Sequence, residues 1–178
     1  MRITGGIFKG REIFAPKGSA TRPILERIRK SLFDLLSSHI KFNDFFLDLF
    51  AGSGVLGIEY ISRGGKGGIF VDKSWRAVET IRSNLKRLGI SEGIRVYRMD
   101  VERFIRSSKL GSGPFEVIFV DPPFDKGFQP FIRNALYMLD DEGVMVVRIF
   151  KKSSVPDGLN IIDNRVYGES RILILGKD

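Results

Sequence analysis

The chain predicts an α/β fold: a mainly parallel sheet covered by helices on both faces. Three observations carry this expectation. Apolar runs of strand length alternate with segments of helical period between residues 45 and 150, the pattern of a doubly covered parallel sheet. Asp48, Asp72, Asp100 and Asp121 each fall at or just after the end of a separate strand, and the carboxyl ends of parallel strands share one ligand-binding rim. The last two apolar runs, near 159–166 and 170–175, are separated only by Tyr167-Gly168-Glu169. That link is too short for a crossover, so the pair forms an antiparallel hairpin at a sheet edge.

Each element has its own signal. Residues 2–15 predict a hairpin that turns at Lys9-Gly10. After the loop Gly18-Ser19-Ala20, Thr21 caps a helix that Pro23 opens near its first position. This helix runs to about Ser38, with Leu25, Ile28, Leu32 and Leu35 or Leu36 along one face. A strand over 45–49 leads into a helix over 54–63 and a strand over 68–71. Ser74 caps the next helix, whose stripe is Val78, Ile81, Leu85 and Leu88, and Gly89 ends it. A strand over 94–99 and a short helix through about Ser108 follow. The strand over 115–120 precedes a helix carrying Phe128, Phe131, Ile132, Ala135 and Leu139, and then a fifth strand over 144–149. Pro156 and Gly158 mark the loop before the final hairpin. The organisation expected is a basic β-hairpin extension over 1–20 and one domain over 21–178.

Composition narrows the class. With 178 residues, 43% apolar and 28% charged, the chain has the make-up of a globular domain with a real core. It contains no cysteine, which excludes disulfides and thiolate metal sites and favours a reducing compartment. No apolar run approaches the roughly 18 residues of a membrane span, and Met1-Arg2-Ile3-Thr4-Gly5-Gly6 lacks a signal-peptide core. A cytoplasmic protein is expected. The net charge is +8, and residues 1–30 concentrate it, with eight basic residues against only Glu12 and Glu26. A basic arm of this kind suits a polyanionic partner.

The chemistry-bearing residues sit on the predicted rim. In Asp48-Leu49-Phe50-Ala51-Gly52-Ser53-Gly54, the two glycines permit a tight turn and close ligand approach before a helix N-terminus. Asp72 ends the next strand, at the distance expected of an acid that accepts from ribose hydroxyls. The loop lacks the full G-x-G-x-x-G spacing, so a mononucleoside such as S-adenosylmethionine fits it better than a dinucleotide, which stays open. Asp100 either accepts from an adenine amine or caps the following helix. Asp48 either touches ligand or orients the glycine loop, and Trp75 either lies beside adenine or packs on its helix face. The fourth strand ends in Asp121-Pro122-Pro123-Phe124. This brings a carboxylate, carbonyls biased towards accepting hydrogen bonds and a flat ring around one small space, as gripping an exocyclic amine requires.

These residues resemble the bacterial RsmD-type rRNA guanine-N2 methyltransferases. The resemblance rests on Thr21-Arg22-Pro23, the segment from Arg27 to Phe33, the glycine loop through Gly57, Ser62-Arg63-Gly64, Val71-Asp72-Lys73 and Asp121-Pro122-Pro123-Phe124. The opening Arg2-Ile3-Thr4-Gly5-Gly6 and the late Tyr167-Gly168 fit as well, so nearly the whole chain is covered. It implies a Rossmann-like class I methyltransferase sheet of order 3-2-1-4-5-7-6 with the seventh strand reversed. It also implies S-adenosylmethionine as cofactor, no metal, and a guanine of 16S rRNA, at a 966-type site, within the small ribosomal subunit or its assembly intermediate. Cofactor contacts are then expected from Thr21, Arg22, Asp48, Phe50, Ala51, Gly52, Ser53, Gly54, Asp72, Lys73, Asp100, Val101 and Asp121. RNA contacts are expected from Arg2, Lys9, Arg11, Lys17, Arg22 and Arg29, and catalysis from Asp121, Pro122, Pro123 and Phe124. Two positions depart from the family pattern: Ile24, often Thr, and Arg148, where an acidic residue usually ends the fifth strand. Rival readings are an amino-methyltransferase acting on DNA adenine or protein glutamine, and a non-catalytic RNA-binding module.

Overall fold

A computed structural model describes residues 1–16, 24–107, 113–123 and 130–177. Helix α1 (Glu26–Leu36) precedes the alternation β1 (Phe45–Leu49), α2 (Val55–Ser62), β2 (Gly67–Asp72), α3 (Trp75–Leu88), β3 (Ile94–Arg98) and α4 (Val101–Arg106). Then come β4 (Phe115–Val120), α5 (Phe131–Leu136), β5 (Leu139–Phe150) and the hairpin of β6 (Ile161–Tyr167) with β7 (Ser170–Gly176). The strands form one seven-stranded sheet of order β3-β2-β1-β4-β5-β7-β6. Neighbours are parallel from β3 across to β5, and β7 runs against both β5 and β6. The predicted order and the reversed seventh strand are both present.

Alternation along the strands builds two cores. Phe46, Phe70, Phe119 and Val146 point to the face covered by Leu32 and Phe33 of α1, Leu56 and Ile58 of α2 and Ile81 of α3. Leu47, Ile118, Val147 and Leu173 point the other way, against Phe104 of α4 and Ile132 of α5. Each fully buried large side chain contributes roughly 1.5–3 kcal/mol, so the central strands are the least negotiable part of the fold. Among the described residues, no helix is long and apolar enough to cross a membrane.

Three boundaries differ from expectation. The helix predicted to open at Thr21 and Pro23, which lie outside the described residues, begins at Glu26, and Leu25 ahead of it is extended (φ −60°, ψ 143°). The helix predicted through Leu139 stops at Leu136, because Leu139 pairs with Phe115 and starts β5. The β4–β5 register then slips between Phe115 and Val117, which lets β5 begin earlier than its continuous apolar run. Phe128 lies outside the described residues. The N-terminal hairpin reduces to one antiparallel bridge, Arg2 with Glu12, closed by a wider turn in which Lys9 N–H donates to the Gly6 carbonyl. Ile3 and Ile13 are buried in the first core. A Cβ at Gly6 (φ +74°) would fall 1.7 Å from the Ser62 carbonyl oxygen, so only glycine lets the arm lie this close to α2.

Candidate active site

Strand register assembles the rim. Leu49 of β1 pairs with Val71 of β2 and Val120 of β4, so Asp72 and Asp121, one residue further on, stand level on either side of β1. Val120 pairs in turn with Val147 of β5, which brings Arg148 to the same height. Because successive side chains alternate between faces, Asp48, Asp72, Asp121 and Arg148 share the face of Phe46, Phe70, Phe119 and Val146. The strand order reverses between β1 and β4, where open α/β sheets bind ligands.

The glycine turn occupies this switch point. Phe50 (φ 62°), Gly52 (φ 57°) and Gly54 (φ 76°) are all left-handed. For the non-glycine Phe50 such a backbone costs on the order of 1–3 kcal/mol, a strain typical of ligand-holding turns. The turn is closed by Ala51 N–H to the Val71 carbonyl (3.1 Å) and Gly54 N–H to the Ala51 carbonyl (2.7 Å). Asp72 braces it from β2, accepting from Gly52 N–H through Oδ2 (2.9 Å) and from Ser74 N–H through Oδ1 (2.8 Å). Among the described residues, a Cβ built on Gly52 would meet only the Phe50 carbonyl oxygen, at 3.9 Å, so none of them fills the space in front of the turn. From behind, the buried Asn84 amide of α3 donates to the Ser53 and Phe14 carbonyls, both at 3.0 Å, and accepts from Phe14 N–H at 2.8 Å.

Asp48 is almost wholly buried and accepts from Gly57 N–H at 3.2 Å. It thereby serves a first-turn donor of α2, whose N-cap Gly54 has no side chain to do so. Burial pushes the Asp48 carboxyl well above the usual range, and the charges of Asp121 and Asp72 add to the rise. Of its two expected roles, the structure shows backbone support, directed at α2.

Asp121 follows β4, with Pro122 buried and Pro123 half-buried behind it. Its carboxylate meets Arg148 in two parallel bonds, Nε to Oδ1 at 2.6 Å and Nη2 to Oδ2 at 2.9 Å. Burial pushes the Asp121 carboxyl up, and the Arg148 guanidinium pulls it back. The Arg148 pairing is the feature that reading the sequence missed. The signal was available in the level and parity of position 148, but it needs the β4–β5 register.

The other predicted residues divide. Asp100 is exposed and caps α4, its Oδ1 accepting from the N–H groups of Glu102 (3.0 Å) and Arg103 (3.3 Å), while Val101 behind it is buried. Lys73 is exposed. Trp75 is 57% exposed, which removes the reading that it packs on its helix face. Arg2, Lys9 and Arg11 are exposed on the arm, Arg2 in an ion pair with Glu12 at 3.1 Å. Thr21, Arg22, Lys17 and Phe124 lie outside the described residues. Arg29 is a correction to the RNA-contact set: it is 0% exposed and bound through Nε to Glu59 at 2.8 Å, so it cannot reach an external polyanion. Among the described residues, no cluster of His, Asp or Glu could hold a metal ion.

A glycine turn braced by an acid on β2, beside an Asp-Pro-Pro tip on β4 of a 3-2-1-4-5-7-6 sheet, defines a Rossmann-like methyltransferase fold. The family model described as "Conserved hypothetical protein 95" matches residues 1–176, and the chain belongs to that RsmD-type family. YlbH of Bacillus subtilis is 33% identical over 183 residues, covering 99% of each chain. "Ribosomal RNA small subunit methyltransferase D" of Escherichia coli is 31% identical over 161 residues, covering 89% of this chain and 77% of its own. A solved structure of a hypothetical protein from Thermus thermophilus superposes with a TM-score of 0.83 at 31% identity, covering 99% of both chains.

Proposed function

We propose that this protein transfers a methyl group from S-adenosylmethionine to the N2 amine of a guanine in small-subunit rRNA, at a 966-type site. The observation that carries this reading is the Asp121-Pro122 tip standing level with Asp72, one strand on either side of the glycine turn. The kinship with a relative named as a small-subunit rRNA methyltransferase supports the choice of RNA.

The residues present fit the cofactor. Gly52 leaves room for a nucleoside against the backbone. Asp72 keeps acceptor capacity on both oxygens for ribose hydroxyls, and Asp100 Oδ2 accepts from an adenine amine while Oδ1 caps α4. Trp75, exposed three residues after Asp72, offers a ring to the adenine. When bound, S-adenosylmethionine supplies an electrophilic methyl whose bonding pair stays on sulfur.

The chain's own groups do the rest. A guanine amine is a poor nucleophile because its lone pair is delocalised into the ring. Asp121 and the Pro122 carbonyl accept its two N–H bonds and turn the lone pair towards the methyl group, and such alignment is worth several kcal/mol and on the order of 7–11 at best. The negative charge of Asp121 stabilises the cation forming on nitrogen, and the surplus N–H proton leaves to water. Phe124 stacks on the base for roughly 1–3 kcal/mol, which requires a base already unstacked or flipped out. Lys9 and Arg11 steer the phosphates.

The test is incubation with methyl-labelled cofactor and small subunits from cells lacking the enzyme, followed by nucleoside analysis. Label in N2-methylguanosine is expected, and label confined to methyladenosine or to protein would overturn the reading. Asp121→Ala should abolish transfer and leave cofactor affinity nearly unchanged; survival of activity within a few-fold would remove Asp121 from its role.

A further inference from the structure

We propose that Arg148 is a positioning residue of the methyl transfer, holding the Asp121 carboxylate in the one orientation that grips the amine. The inference rests on the function proposed above and adds a residue to it. A guanidinium at the end of a central strand is costly to bury unless it is paired. Arg148 is only 9% exposed, and its carboxylate partner is the side chain that must face the substrate.

The geometry of the pair is specific. Both bonds run from one planar guanidinium to the two oxygens of one carboxylate, at 2.6 and 2.9 Å, so the carboxylate plane is set by the plane of the arginine. Each oxygen spends one lone pair on Arg148 and keeps another. The remaining acceptor directions are thereby fixed before substrate arrives, which is how a preorganised site lowers the cost of alignment. The Asp121 N–H donates to the Leu49 carbonyl at 3.4 Å, which ties the same residue to β1.

The charges around the carboxylate explain why a cation is needed there. Asp48 on β1 and Asp72 on β2 share its face, and the charges of Asp121 and Asp72 already help push the Asp48 carboxyl up. Burial also disfavours the ionised form of Asp121. Arg148 on β5 is the opposing charge. Its charge and its two hydrogen bonds favour the ionised form against that burial, so Asp121 holds the amine as an acceptor. A protonated Asp121 would turn one acceptor into a donor aimed at an N–H.

The test compares Arg148→Met, Arg148→Lys, Asp121→Ala and the double variant Asp121→Ala/Arg148→Met across pH about 6 to 9. Arg148→Met should lower kcat about 10- to 100-fold at neutral pH. Its acid limb should move upward, so that part of the loss is recovered as pH rises, while KM for S-adenosylmethionine stays within about three-fold. Arg148→Lys keeps a charge but not the fork, and should fall between Met and wild type in both kcat and limb position. The double variant should be no worse than Asp121→Ala alone. Wild-type kcat and pH profile in the Arg148 variants, or a loss equal at every pH, would overturn the inference while leaving Asp121 in place. Should Arg148→Met fail to fold, Arg148→Lys decides by the same two readouts. Activity surviving in Asp121→Ala would instead remove Asp121 from the role proposed above, while label outside N2-methylguanosine would strike the function itself.

Discussion

Two carboxylates of this molecule, the buried Glu59 on α2 and the half-buried Asp121 after β4, are both matched with arginine, yet they are built for different ends. Glu59 is saturated. Its Oε1 accepts from Thr4 N–H at 2.7 Å and Arg29 Nε at 2.8 Å, and its Oε2 accepts from the Thr4 hydroxyl at 3.1 Å and from Arg63 Nη1. Four donors use up its acceptor directions, and they fasten the N-terminal arm, α1 and α2 into one body. Among the described residues, the side chain of Asp121 receives only the two bonds of Arg148 and keeps half its capacity, at the edge of an open turn. A carboxylate with every lone pair engaged is a clamp; one with lone pairs to spare at a ligand rim is equipped to bind.

Removing the clamp should have the largest effect on folding. Glu59→Ala leaves Arg29 buried without its counter-charge and should cost about 3–5 kcal/mol of stability, measured by urea unfolding. If it costs under about 1 kcal/mol, the contrast between the two sites collapses. At the rim the loss should appear in the chemistry instead. Asp121→Asn should lower kcat about 100- to 1,000-fold, ~3–4 kcal/mol of barrier, with a smaller stability cost than Glu59→Ala because the side chains of its ion pair are less enclosed. Asn84→Ala should cost about 1–3 kcal/mol by leaving Phe14 N–H and the Ser53 carbonyl short of a partner, and cofactor affinity measured by calorimetry should weaken with it.

The smallest effect concerns pH. The Asp48 carboxyl is held above its ordinary value, so the folded state binds more protons than the unfolded chain. That contribution to stability is fully present below the ordinary carboxylate range and is lost as pH rises through the raised value. Asp48→Asn should flatten this decline in unfolding curves taken from pH about 4 to 8. Asp121, raised in the same direction, retains part of the slope. An unchanged slope in Asp48→Asn would show that burial of Asp48 is not what sets it.

Much of this was legible before any coordinates. The sheet order came from a family resemblance, while strand positions came from apolar runs and turn residues that need no tertiary knowledge. Gly89 ends α3 with φ 73° and Ser74 caps it, as their local chemistry dictates. Two of the failures were non-local, and the third, Arg29, was not. The start of β5 depends on Leu139 pairing with Phe115 and on a register slip that no local window contains. Arg29 counted as a surface cation because of its type, although Phe33 and Leu36 follow it at i+4 and i+7, on the buried stripe of α1. Position 148 stood out as a departure from a pattern, but its meaning needed a neighbouring strand.

The Asn84 amide has a wider implication. One side chain grips the arm at Phe14 and the glycine turn at Ser53, so residues 1–16 also brace that turn from behind. A shortened protein starting after them would lose more than the exposed cations Arg2, Lys9 and Arg11: the turn proposed to hold the methyl donor would stand with its buttress taken away.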